Sequence, residues 1–271
     1  MPLADIETIV VVMMENRSFD HMLGYLSLPG AKAPMPVEGL RNDPVWLASK
    51  TNYQNGDPYP IHPLAASVQD IPDPPHDLNA IATQIGTPPF PGSPDGLGGF
   101  AASYAKADPA PADLSPVMGY YPADAVPVFD FFARNFAVCD HWFSALPTGT
   151  QANRLMAMSG ESAISDNASF LLPDQPLVYD WLNGRKIGWC AYQSGDFLPF
   201  FALMPRWLPT IIGSLAAAEF GSSRPFRRYE HFAGDWAGSG PLPPVIFIEP
   251  EYTDGPHVDA NDDHPPTGIA K

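Results

Sequence analysis

Apolar residues along this chain come in blocks, separated by long polar stretches rich in turn-forming residues. Residues 6–14 form a nearly continuous β-branched and apolar run that stops at Glu15-Asn16. Such a run, without alternation, predicts a strand buried on both faces, as in a parallel sheet covered by helices. Residues 29–118 show no sustained period, and Pro, Gly, Asp and Asn recur throughout. The expectation there is a long irregular insertion with short elements, one of them a helix near 79–84. Order returns at 127–137, where Val128, Phe131, Phe132 and Phe136 are spaced like the apolar face of a helix packed on a sheet. A short strand at 136–139 and a helix at 150–159, entered from a Pro-Thr-Gly turn, are predicted next. A helix at 177–183 ended by Gly184, a strand at 187–192 and a helix over 208–220 follow. The last block, 244–248, predicts another buried strand, closed by Glu249-Pro250.

Strands separated by helices imply an α/β sandwich with a mostly parallel sheet. In open sheets of that kind ligands sit beyond the carboxyl ends of the strands, so polar residues just after buried strands are the first candidates for chemistry. The 271 residues and 45% apolar content suit a single packed domain. Proline is abundant, 34 residues against a usual share of about 5%, which points to stiffened loops over a modest regular core. A net charge of −16 argues against phosphate-mediated nucleic-acid binding and against basic docking on anionic membrane. An acidic enzyme can still hold phosphate if a bound cation dominates the local field. Cys139 and Cys190 both sit among apolar residues and read as buried free thiols. Residues 1–8 lack a basic leader and no stretch approaches a membrane span, so a cytoplasmic location is the default, extracellular or periplasmic if the start is misassigned.

Three polar clusters follow apolar segments. In the first, Glu15-Asn16-Arg17-Ser18-Phe19-Asp20-His21, a carboxylate and an amide oxygen at a strand end suit a hard cation, or else cap the next helix. The second is Cys139-Asp140-His141, followed by Thr148-Gly149-Thr150 and then Asn153-Arg154. Thr150 at a helix start is either a nucleophile aided by a metal and the helix's positive end or an ordinary N-cap. The third holds Glu249 and Glu251, then Asp262, Asp263 and His264, where Asp and His this close suit metal or phosphate or else belong to an acidic Pro-rich loop. His62, His231 and His257 have no chemical neighbours in sequence. There is no P-loop, G-x-G-x-x-G, G-x-S-x-G or H-E-x-x-H.

Taken together, Met14-Glu-Asn-Arg-Ser-Phe-Asp-His21, Asp73-Pro-Pro-His76, Thr150-Gln-Ala-Asn-Arg154, Tyr179-Asp-Trp-Leu182, Ile248-Glu-Pro250 and Asp263-His-Pro-Pro266 resemble a known family. It is the phosphoesterase family of bacterial phospholipases C, plant non-specific phospholipases C and acid phosphatase A. The resemblance implies an alkaline-phosphatase-like fold and hydrolysis of phosphate esters, monoester or phospholipid diester. It makes Glu15 and Asn16 metal ligands of a divalent cation shared with Thr150, the threonine nucleophile, with Thr148 as second choice. His76 and His264 would bind phosphate or transfer a proton, and Asn153, Arg154 and His141 would contact substrate. Ala152 stands where the family pattern has Pro. Family members continue past Asp-His-Pro-Pro to further metal ligands, so the expectation is one domain over 1–271, incomplete at its C-terminus. An inactive fragment or a phosphate-binding module is the alternative.

Overall fold

The computed structural model describes residues 5–30, 32–68, 71–86, 96–168, 171–196, 198–216, 224–238 and 240–265. Regular structure begins with strand β1 (Ile9–Val12) and helix α1 (Phe19–Met22). Helix α2 (Pro44–Ser49), the antiparallel pair β2 (Asn52–Gln54) and β3 (Asp57–Tyr59), strand β4 (His62–Pro63) and helices α3 (Leu78–Gly86) and α4 (Phe100–Tyr104) follow. Strand β5 (Gly119–Tyr120) pairs parallel with β4, and helices α5 (Pro127–Asn135) and α6 (Thr150–Ser159) come next. The remainder runs α7 (Val178–Gly184), β6 (Trp189–Gln193), α8 (Leu208–Leu215), β7 (Phe226–Arg228), α9 (Phe232–Ala237) and β8 (Val245–Glu249). The predicted helix over 208–220 is α8, and its residues 217–220 lie outside those described.

The chain divides into two compact units. One takes the segment ending at Glu15 together with Thr150–Asp262, and the other takes Asn16–Gly149 with the segment that starts at Asp263.

The first unit is α/β, with a four-stranded sheet ordered β1-β8-β6-β7 and every pairing parallel. Ala191 on β6 faces Phe247 on one side and Phe226 on the other, so β6 is an inner strand, and all five of its residues are buried. Tyr179, Trp189, Phe201, Trp207, Phe226 and Phe247 pack ring against ring, with centroids 4.6 to 6.2 Å apart. Most of these contacts are edge-to-face, the arrangement the ring quadrupole favours, worth about 0.5–1.5 kcal/mol per pair beyond burial.

The expectation for the first apolar block is corrected here. Every residue of β1 is exposed, from 38% at Val10 and Val11 to 56% at Ile9 and Val12. Among the described residues β1 bonds only to β8, which puts it at the edge of this sheet. An unbroken apolar run specifies a strand, but it does not say whether that strand is central.

The second unit packs Met22, Tyr25, Leu26, Leu64, Tyr121 and Val126 in a core of its own. Helix α5 lies here in the predicted place with the opposite face inward. Val128, Phe131, Phe132 and Phe136 are 56–63% exposed, while Asp130 and Ala133 are buried. Asp130 anchors the helix: it accepts from Tyr25 Oη at 2.9 Å and Arg134 Nε at 2.7 Å, and pairs with Lys32. Burial alone would raise its pKa, but these three partners outweigh it and hold the carboxyl below its ordinary range. Residues 136–139 are not a strand, and Cys139 is exposed; Cys190 is buried as expected, and both thiols are free. Among the described residues no helix is long and apolar enough to cross a membrane.

Candidate functional site

In the first unit the polar residues after β1 and at the start of α6 converge. Thr150 and Arg154 stand four apart on α6 and so share a helix face. The Thr150 hydroxyl donates to Glu15 Oε1 at 3.3 Å. Arg154 Nε and Nη2 both lie 3.0 Å from Glu15 Oε2, and Nη2 also donates to the Met13 carbonyl at 3.2 Å. The Arg154 side chain is 3% exposed, and its guanidinium lies 4.9 Å from the centre of the Tyr252 ring. A buried charge is tolerated only when paired, and Glu15 is that pair. The backbone supports the arrangement, since Glu15 N–H donates to the Asp262 carbonyl at 2.8 Å.

Glu249, the last residue of β8, joins this charge group. It is wholly buried, and Oε2 accepts from the Phe200 N–H at 2.8 Å. Burial pushes its carboxyl up to about 7, with Arg154 and the Phe200 N–H pulling the other way. Three buried polar atoms here have no hydrogen-bond partner: Arg154 Nη1, Glu249 Oε1 and Tyr252 Oη. Buried groups are normally paired, so three such atoms in one charge group mark a place built to meet something else.

Glu15 and Thr150 fit the role of cation ligands that the sequence assigned them. Both offer oxygen to a hard ion, and a 3.3 Å separation suits two ligands of one cation. Asn16, next along the chain, is exposed. Asn153 is partly buried on α6.

In the second unit the structure gathers Asp73, His76 and His264, whose ligand atoms all lie within 4.8 Å of one another. Asp73 Oδ1 is 3.5 Å from His76 Nδ1 and 3.5 Å from His264 Nε2. His76 Nδ1 lies 2.8 Å from the Pro74 carbonyl, which can only accept, so that nitrogen carries the proton. Two hydrogen bonds tie the contributing loops: Ile71 N–H to the Pro265 carbonyl at 3.1 Å, and Arg17 Nε to the Asp263 carbonyl at 2.6 Å. Arg17 thus places the loop of His264, a role the sequence did not suggest.

His21 completes that framework as a neutral imidazole. Its Nδ1–H donates to the Gly119 carbonyl at 2.9 Å, and Nε2 accepts from Arg17 at 3.0 Å. Burial first, and the Arg17 charge second, pull its pKa down to about 4. Asp263, just before His264, has φ +66°, a left-handed conformation that Asp tolerates better than most residues.

His141 is 64% exposed, with Nε2 2.6 Å from Glu38 Oε2. Thr148 is buried in the loop before α6. His257, isolated in sequence, meets Asp196 across 61 residues, with Nδ1 to Oδ1 at 3.0 Å. Sequence reading missed Asp73 and Glu249 as partners of these groups. The only signal for Asp73 was its place three residues before His76.

Residues 6–271 match the model of the phosphoesterase family. The chain is similar to non-specific phospholipase C6 of Arabidopsis thaliana, 30% identical over 270 residues that cover 98% of this chain and 47% of that protein. Non-specific phospholipase C1 of the same plant is 32% identical over 272 residues, covering 98% and 46%. Hemolytic phospholipase C of Pseudomonas aeruginosa is 26% identical over 210 residues, covering 71% and 26%. The chain spans about half the length of the plant relatives it matches. With its match across nearly every residue described, this chain belongs to the phosphoesterase family.

Proposed function

We propose that the protein hydrolyses phosphate esters through Thr150, on an alkaline-phosphatase-like framework. The observation that carries this reading is the set on α6 and just after β1: a hydroxyl at a helix start donating to a carboxylate, with a buried arginine one turn further on. Phosphorus is attacked in line by the Thr150 oxygen as its proton passes to Glu15 Oε1, which already accepts from that hydroxyl. The P–O bond to the leaving alcohol breaks as the Thr150–phosphorus bond forms, and the alcohol leaves with the proton that Glu15 took up. Water then attacks the phosphothreonine and one of its protons passes by way of Glu15 to the Thr150 oxygen as that P–O bond breaks, which releases phosphate from a monoester or the phosphorylated head group from a diester and restores the hydroxyl.

Arg154 is fixed by Glu15 through Nε and Nη2, which leaves Nη1 as a buried donor for a phosphoryl oxygen. Charge built up on the equatorial oxygens is offset by such preplaced donors. A divalent cation held by Glu15, Asn16 and Thr150 would lower the hydroxyl's pKa and neutralise phosphate charge. His76 and His264 carry imidazoles suited to holding phosphate or moving a proton, and Asn153 and His141 are the further substrate contacts. The plant and bacterial relatives are named phospholipases C, which favours a phospholipid diester over a monoester.

The test compares p-nitrophenyl phosphorylcholine with p-nitrophenyl phosphate as substrates, with and without added divalent cations, beside Thr150→Ala. The expected outcome is metal-dependent turnover of the diester that falls at least about 100-fold in the variant. Equal turnover by Thr150→Ala would remove Thr150 from the mechanism.

A further inference from the structure

Tyr252 enters the buried charge group from the loop that follows β8. The residue is partly buried, and its ring centre lies 4.9 Å from the Arg154 guanidinium. Its Oη is shielded from solvent and has no hydrogen-bond partner, as are Arg154 Nη1 and Glu249 Oε1. An unpaired buried hydroxyl costs stability, and phenylalanine would keep the ring without that cost. Groups that weaken the free fold in this way are retained where they serve a ligand.

We propose that the Tyr252 hydroxyl donates to a phosphoryl oxygen beside Arg154 Nη1, as a further substrate-binding residue of the site built on Glu15 and Thr150. This deepens the hydrolytic reading and rests on it for the identity of the ligand, a tetrahedral oxyanion. Most of the Arg154 guanidinium is already engaged: Nε and Nη2 face Glu15, and Nη2 also reaches the Met13 carbonyl. One free N–H group cannot satisfy several phosphoryl oxygens, so a second donor from another segment has a use there. Burial first, and the Glu249 carboxyl second, hold the Tyr252 pKa well above the usual tyrosine value, so the hydroxyl keeps the hydrogen it would donate. Burial also raises the Glu249 carboxyl to about 7, which lessens the negative charge an arriving anion meets.

The loop that carries Tyr252 is fixed before any ligand arrives. Glu251 N–H donates to Asn261 Oδ1 at 2.9 Å, and Asn261 N–H donates back to the Glu251 carbonyl at 2.9 Å. Tyr252 N–H itself donates to Glu251 Oε1 at 2.9 Å, and Asn261 Nδ2 donates to Ser194 Oγ at 3.0 Å. The next residue, Asp262, accepts from Glu15 N–H through its carbonyl, so one short loop sets both Tyr252 and the carboxylate that holds Arg154. Donors held by their own hydrogen-bonded support need no rearrangement when charge develops on phosphorus oxygens.

Binding is measured apart from turnover. The full chain is titrated with inorganic phosphate by calorimetry, with Mg²⁺ present, beside Tyr252→Phe and Tyr229→Phe. The expected result is saturable phosphate whose affinity falls at least about 10-fold in Tyr252→Phe, the weight of one hydrogen bond to a charged group. Tyr229→Phe, at an exposed ring outside the cluster, should leave it unchanged. The melting temperature of Tyr252→Phe without phosphate should equal or exceed that of the wild type, because only an unpaired hydroxyl has gone. A lower melting temperature, or failure to fold, would assign the hydroxyl a structural partner and overturn the inference. Phosphate held equally well by Tyr252→Phe, or not held by the wild type at all, overturns it too. Turnover of p-nitrophenyl phosphorylcholine at the wild-type rate in Tyr252→Phe sinks this contact and leaves Thr150 in place. Phosphate held through Tyr252 by a chain that hydrolyses neither ester keeps the contact and sinks the proposed reaction instead.

Discussion

The two units keep a buried ionisable group neutral by opposite shifts. In the sheet unit, burial raises Glu249 to about 7, so the carboxyl holds its proton well above the ordinary range. In the other unit, burial and Arg17 lower His21 to about 4, so the imidazole sheds its proton well below its ordinary range. Both side chains are neutral near pH 5 to 6, and each becomes costly on a different side of that window. Glu249 binds more protons folded than unfolded between about 4.5 and 7, so its contribution is full below 4.5 and is lost as pH rises through 7. His21 binds fewer protons folded than unfolded between about 4 and 6.5, so its contribution is full above 6.5 and is lost as pH falls through 4. The lesson is that a burial cost of similar size makes one unit sensitive to base and the other to acid.

The largest effect should come from removing the cation that the first cluster is built on. Arg154→Met leaves Glu15 without its buried partner, and the expected loss is about 3–5 kcal/mol, read from urea unfolding at pH 7. Little change would mean that the carboxylates there are neutral or hydrated. Next is the asymmetry itself. Glu249→Gln should flatten the fall in stability between pH 4.5 and 7, a term on the order of 3 kcal/mol. Unfolding curves of the variant that keep the full wild-type slope would assign that slope to another group. A smaller effect is expected from Arg17→Ala, which removes the donor to the Asp263 carbonyl and the partner of His21 Nε2. Its cost should be about 1–3 kcal/mol, and the His21 pKa seen by NMR should rise because one of its two depressing causes is gone. Last, His141→Ala should leave the melting temperature unchanged, because an ion pair whose members are both 64% exposed contributes little. A measurable drop would show that the Glu38 contact holds its loops.

What was legible in the sequence follows the same divide between local and distant causes. Helix α6 was placed at its observed bounds because a Pro-Thr-Gly turn stops extended chain and frees the next residue to start a helix. Strands β6 and β8 were legible as short apolar blocks closed by polar residues or proline. β7 was missed, since Phe226-Arg227-Arg228 carries no apolar pattern; Arg227 is buried and pairs with Asp235. The outward face of α5 was misread for a related reason. Its phenylalanines have the helical period, but Asp130, held by Tyr25, Lys32 and Arg134, decides which side turns inward. Glu15 stood out in the sequence as a candidate, and its partner did not. Arg154 lies 139 residues away, and nothing local in either segment specifies that contact.

The account's central claim is that Thr150 takes up the phosphoryl group, and direct capture of that state tests it most closely. Protein turning over p-nitrophenyl phosphorylcholine would be quenched in acid, digested, and its peptides weighed. The account predicts that the peptide containing Thr150 gains the mass of one phosphorylcholine group, and that Thr150→Ala yields no such peptide. Turnover without phosphorylcholine on that peptide, or with it on a histidine or on Thr148 instead, would contradict it.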